Sequence, residues 1–142
     1  MKSGLHVRTL ALDVGDRRIG IAITDQLGIT VQGRPTRLRT RISEDIEHIR
    51  RLVEEDDVDR VVVGHPCHMD GTRSRQTEKT EAFAESLRLG LDVPVVLWDE
   101  RLTSFAAEQT LEELGLDWRA RRKHVDRLAA TLILEDYLRE QA

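Results

Sequence analysis

The sequence predicts an α/β protein: a mixed five-stranded sheet, made of a three-strand antiparallel meander and two parallel strands, with helices on both faces. Three observations predict it. Two short apolar runs near the N-terminus are joined by a few turn residues, later apolar runs alternate with stretches of helical spacing, and acids end the first and last of the strand-like runs.

Thr9 to Asp13 (TLALD) reads as a buried strand, and Val14, Gly15 and Asp16 supply turn chemistry. Arg18 to Thr24 (RIGIAIT) alternates, with Ile19, Ile21 and Ile23 on one face and Gly20 and Ala22 on the other. It forms a hairpin with the first strand, and its small-residue face invites close packing. A third strand is expected to start over Ile29 to Gln32 and to break at Gly33, Arg34 and Pro35. Ser43 is the expected N-cap of a helix whose apolar stripe is Ile46, Ile49, Leu52 and Val53. Arg60 to Gly64 (RVVVG) is rich in valine, as fully buried parallel strands are. Arg75 to Leu89 has helical spacing through Ala82, Phe83, Ser86 and Leu87. After Pro94, Val95 to Trp98 (VVLW) forms the last strand and runs into Asp99 and Glu100. A helix capped by Thr103 or Ser104 and stopped by Gly115 is expected next. A basic stretch then precedes a final helix from about Val125 to Arg139. No linker or repeat divides the chain, so residues 1–142 are expected to form one domain.

Composition narrows the function classes. A hydrophobic fraction of 39% with 34% charged residues suits a packed globular chain rather than a disordered one. No apolar run approaches the roughly 20 residues of a membrane span, and Met1 to Arg8 holds no secretory signal. With Cys67 alone, an internal disulfide is excluded, and the expected compartment is the reducing cytoplasm. The net charge of −4 hides a segregation. Arg34, Arg37, Arg39 and Arg41 stand without an intervening acid, as do Arg119, Arg121, Arg122 and Lys123, while much of the acid lies between Glu44 and Asp59. Such basic runs are either nucleic-acid contacts or solvated loops. Aromatic residues are only 4% of the chain, too few for base-stacking platforms, so phosphate and shape recognition is the expected mode.

Three acids carry the chemistry. Ligand sites in open α/β sheets collect beyond the carboxyl ends of the strands. Asp13 ends the first strand and Asp99–Glu100 the last, so the two meet if those strands are neighbours. Adjacent residues on an extended chain face opposite ways, so one of Asp99 and Glu100 is expected to join Asp13 unless the strand has already ended. Asp126 precedes Ala129/Ala130, Ile133/Leu134 and Tyr137/Leu138 at helical spacing, which puts it on the face that packs on the sheet. By itself Asp126 reads more readily as a wet first-turn acid complementing the helix dipole, and its coincidence with two strand-end acids reverses that preference. Two carboxylates about 4 Å apart at an effective dielectric near 20 repel by roughly 4 kcal/mol. Three that converge therefore hold protons or bind a cation. All-oxygen ligation favours Mg²⁺ or Mn²⁺ over Zn²⁺, and a pair of such ions is the usual arrangement for phosphodiester cleavage.

Four segments also resemble one family. They are LALDVGDRRIGIAITD (Leu10 to Asp25), VVVGHPCHMDGT (Val61 to Thr72), DERLTS (Asp99 to Ser104) and HVDRLAATLILEDYL (His124 to Leu138). In order and spacing they resemble the YqgF/RuvX family of pre-16S rRNA nucleases, also described as Holliday junction resolvase-like. The likeness spans about Thr9 to Leu138. It implies an RNase H-like fold, and Asp13, Glu100 and Asp126 as metal-binding catalytic acids. It further implies trimming of the 5′ end of the small-subunit rRNA precursor during ribosome biogenesis. His65 stands where the family usually has an apolar residue, Cys67–His68 is atypical, and the Ser104 position is often threonine.

Arg101 could clamp a phosphate or pair with Asp99, and Thr103 could contact phosphate or cap a helix. Arg17 and Arg18, in the turn beside Asp13, could bind the scissile strand or be solvated. His65, Cys67 and His68 invite a zinc reading, but a structural site needs four ligands and no second cluster exists. The expected partner is structured RNA, with branched DNA as the alternative and no membrane. Two other functions compete with nuclease action: a non-catalytic RNA-binding module, and an actin-like ATP-binding relative, which would need a second lobe.

Overall fold

The computed structural model describes residues 7–66, 74–99 and 118–141; over 118–127 it is the backbone alone that is described. Five strands form one sheet: β1 (Thr9–Val14), β2 (Arg18–Thr24), β3 (Val31–Leu38), β4 (Arg60–His65) and β5 (Val95–Asp99). Among the described residues the helices are α1 (Ile42–Glu55), α2 (Arg75–Gly90) and α3 (Trp118–Gln141). The spatial order is β3-β2-β1-β4-β5. β1 pairs antiparallel with β2, β2 with β3, and the β1–β4 and β4–β5 pairs are parallel. The helix expected from Thr103 to Leu114 lies outside the described residues.

The alternation of β1 and β2 divides the core between the two faces. Leu10, Leu12, Val14, Ile19, Ile21 and Ile23 join Val61 and Val63 under α1 and α2, where Ile49, Val53, Phe83, Ala84 and Leu87 are buried. The opposite face is lined by Ala11, Ala22 and Val62 and is covered by α3 through Ala130, Ile133, Leu134 and Tyr137. The small-residue face read from the hairpin is thus the seat of a helix.

Three boundaries differ from expectation. β3 runs through Gly33 and Pro35 instead of ending there. As an edge strand it tolerates a proline, and its pairing with β2 shifts register between Ile19 and Ile21, so the missing N–H is absorbed at an irregularity. Helix α1 begins at Ile42, with Arg41 and not Ser43 at the cap position and no side-chain cap bond. Asp45 supplies the anchor instead, accepting the Thr40 N–H at 3.1 Å. Helix α3 begins at Trp118, so the basic run from Arg119 to Lys123 forms its opening turns and not a loop. Arg, Lys and Ala are good helix formers, and no glycine or proline interrupts them.

Asp45 is fully buried. Its two oxygens accept from Arg37 Nε and Arg39 Nε, each at 3.1 Å. Burial alone would raise its pKa. The Thr40 N–H, Arg39 and Arg37 outweigh that and hold it below the ordinary carboxylate value of 3.8. The cluster locks the end of β3 to the start of α1. Elsewhere, Gly28 makes the β2–β3 connection at φ 74°, where a Cβ would meet the Val7 carbonyl oxygen at 2.5 Å, so glycine is required there.

Removing one partner of a buried ion pair leaves an uncompensated charge. Asp45→Asn is therefore expected to cost about 3–5 kcal/mol in urea-unfolding free energy. The carboxylate's pKa is depressed in the folded state, so its contribution is present above pH 3.8 and is lost as pH falls through the lower folded value. Urea titrations of both proteins from pH 7 to pH 3 should show their stability difference constant down to about pH 4 and shrinking below it.

Candidate active site at the ends of the parallel strands

Asp13 is half-buried near the carboxyl end of β1. Because Leu12 and Val14 enter the core under α1 and α2, alternation turns Asp13 to the α3 face. Its cross-strand partner on β2 is Gly20. On the other side the β1–β4 register, ending at Leu12–Val63, brings Gly64 of β4 level with it. Neither neighbour projects a side chain, so the Asp13 carboxylate stands in a slot flanked by two glycines. In sequence, Gly20 is marked for close approach and Gly64 is not; the visible signal for Gly64 is that it closes a run of three valines.

β1 and β5 are not neighbours, since β4 lies between them. The condition under which the first and last strands would place their acids side by side is not met, and their axes stand roughly 10 Å apart. Both nevertheless end at the same edge because the intervening pairings are parallel. Leu97 joins the core under α1 and α2, whereas Trp98 joins the α3 core. Asp99, exposed and paired in register with His65, therefore faces away from Asp13. Glu100, Arg101 and Thr103 lie outside the described residues.

The inward stripe of α3 is as expected: Ala129, Ala130, Ile133, Leu134 and Tyr137 are all buried. Asp126 lies one turn before Ala130 on the same helix, and its side chain is outside the described set. Trp98 ties the helix to β5. Trp98 Nε1 donates to Asp136 at 2.8 Å, and the Trp98 and Tyr137 rings meet edge-on at 5.2 Å. Arg60, at the start of β4, lies 4.8 Å from the Tyr137 ring centre. The C-terminal half of α3 thus sits by the start of β4.

Arg17 is exposed in the β1–β2 turn, and Arg18 is half-buried at the start of β2. The run from Arg34 to Arg41 is different. Arg37 and Arg39 close on Asp45, Arg34 lies 3.7 Å from Asp56, and Arg41 lies 3.5 Å from Glu44. A stretch without an intervening acid in sequence has acids brought to it in space: Arg37 and Arg39 are enclosed with Asp45, while Arg41 stays largely exposed. His65 lies 3.5 Å from Glu81, and Cys67 and His68 fall outside the described residues. Among the described residues no three His, Cys, Asp or Glu side chains form a metal-sized group. Of the three candidate acids, Asp13 alone has a described side chain. An oxygen donor beside two glycines fits a small, oxygen-seeking divalent ion.

Comparison with known proteins defines the family. A family described as "RuvX: Holliday junction resolvase" matches residues 7–140. A protein of Halothermothrix orenii named "Putative pre-16S rRNA nuclease" is 42% identical over 135 residues, covering 95% of this chain and 96% of that one. One of the same name from Syntrophus aciditrophicus is 46% identical over 132 residues, covering 93% and 88%. Among solved structures, Thermus thermophilus RuvC in complex with a Holliday junction substrate superposes with a TM-score of 0.60 at 15% identity, over 95% of this chain and 96% of that one. The fowlpox virus resolvase bound to Holliday junction DNA reaches 0.56 at 13% identity, over 95% and 99%. On its sequence the chain belongs to the RuvX Holliday junction resolvase family, and its sheet and helices are the RNase H-like fold of RuvC.

Proposed function

We propose that this chain is a metal-dependent endonuclease, one domain over residues 1–142, that trims the 5′ end of pre-16S rRNA in the cytoplasm. The observation that carries the reading is the Asp13 carboxylate, set between Gly20 and Gly64 at the strand-end edge of an RNase H-like sheet. Relatives 42–46% identical over nearly the whole chain, named as pre-16S rRNA nucleases, support the substrate. The family description supports branched DNA as the second substrate to assay.

In this reading Asp13, Glu100 and Asp126 hold Mg²⁺ or Mn²⁺, as a pair of ions. Strand alternation turns Asp99 away from Asp13, which supports Glu100 as the acid that joins it. Helix periodicity supports Asp126, which stands one turn before Ala130 on the helix whose Ala130, Ile133, Leu134 and Tyr137 are buried against the sheet. When bound, such ions activate water and stabilise the leaving oxygen. The chain's own part is to hold the acids at one edge, with Arg17, Arg18, Arg101 and Thr103 binding the backbone of the nucleic acid.

Asp13→Asn, Glu100→Gln and Asp126→Asn are each expected to cut a pre-16S rRNA 5′ fragment at least about 100-fold more slowly with Mg²⁺ or Mn²⁺. Equal cutting by wild type and all three variants would overturn the assignment. Absence of cleavage of RNA and of a four-way DNA junction under either metal, with RNA binding that survives loss of the acids, would instead identify a non-catalytic binding module. If Arg17 and Arg18 contact phosphates, Arg17→Ala and Arg18→Ala should each lower the salt dependence of RNA binding by about one ion, measured by fluorescence anisotropy across a salt series.

A further inference from the structure

We infer that Gln76 is a positioning residue for the Asp13 carboxylate, the nearest of several side chains that grip the turn following it; the inference rests on the nuclease role given to Asp13 above. The four residues after Asp13 are each held from outside the hairpin. Gln76 Nε2, in the first turn of α2, donates to the Val14 carbonyl at 2.9 Å. Arg39 Nη1 donates to the Gly15 carbonyl at 2.8 Å, and the Arg39 backbone N–H donates to the Arg17 carbonyl at 2.9 Å. Lys79 Nζ reaches Asp16 Oδ1 at 3.0 Å. Within the turn, the Gly15 N–H donates to the Arg18 carbonyl at 2.8 Å.

These contacts are not equivalent. Lys79 and Asp16 are both more than half exposed, so water screens that pair. Arg39 is committed to Asp45 and lies 5.1 Å from the Phe83 ring centre, so its first task is to hold β3 and α1. Gln76 is half-buried, and the residue it binds, Val14, is 5% exposed. A buried carbonyl needs a partner. The parallel register with β4 runs from Thr9–Arg60 to Leu12–Val63, and Gln76 serves the carbonyl two residues beyond it. The helix that delivers Gln76 is itself pinned to the same edge. Ser74 and Thr77 form a capping box at its start, and Thr77 Oγ1 donates to the carbonyl of Pro66, just past β4. α2 therefore ties the ends of β1 and β4 together at the edge that carries Asp13.

The test compares wild type with Gln76→Met, which keeps length but lacks the donor, and Gln76→Glu, which keeps shape and replaces the donor by an acceptor. With Mg²⁺ and a pre-16S rRNA 5′ fragment, each folded variant is expected to lose about tenfold in kcat at a KM within about twofold of wild type. Hydrogen exchange of the Gly15 amide should quicken by about tenfold, with that of Val62 in β4 unchanged. Wild-type kcat in either folded variant, with Asp13→Asn inactive, would overturn the positioning role and leave the nuclease reading intact. Equal acceleration at Gly15 and Val62 would overturn it as well, by showing a general loss of stability. Full activity in Asp13→Asn would remove the nuclease reading, and the role of Gln76 with it.

Discussion

The register of β1 governs the functional edge of this protein. Leu10, Leu12 and Val14 are buried on one face of the sheet, and that burial forces Thr9, Ala11 and Asp13 to the other. A slip of one residue would put three large apolar side chains under α3 and send the acid into the main core, so hydrophobic burial holds the carboxylate where it is. The pairings of β1 complete the constraint. Antiparallel to β2, it brings the hairpin turn to this edge; parallel to β4, it brings the end of β4 there too. Gly20 and Gly64 then flank Asp13 without filling the space beside it.

Electrostatics acts on this framework in two ways. The acid that serves structure, Asp45, is fully buried and saturated by two arginines and a backbone N–H. Its neutralisation is internal, and Arg39 carries the order onward to the Gly15 carbonyl in the turn after Asp13. The candidate functional acid has a different position: half-buried, at a strand end, beside glycines. One carboxylate is enclosed with its counter-charges inside the fold, and the other lies half-buried at a strand end.

The family and the fold then supply complementary information. Identity above 40% over nearly the whole chain places it among the RuvX proteins, while the superposition on RuvC and the fowlpox resolvase, at 13–15% identity, speaks for the architecture alone. What the geometry adds is a physical basis for choosing between neighbouring acids. Asp99 is turned from Asp13 by strand alternation, a distinction invisible to composition or charge.

Much of the molecule was legible in its residues. Alternation in Arg18–Thr24 foretold both the hairpin and the face on which a helix would sit, and spacing in α3 foretold its buried stripe, because these patterns are local consequences of strand and helix periodicity. Pro35 misled because its effect depends on whether a strand is at an edge, which only the assembled sheet decides. The arginines from Arg34 to Arg41 misled for a related reason: their partners, Asp45 and Asp56, become neighbours only when α1 folds back on β3. The chain's own pattern determined which residues are strands, which face is apolar and which acids stand at strand ends. Tertiary structure decided that β4 separates β1 from β5, that Gly64 comes level with Asp13 and that Gln76 reaches Val14, since strand order and contacts between distant residues depend on long-range packing and not on any local period.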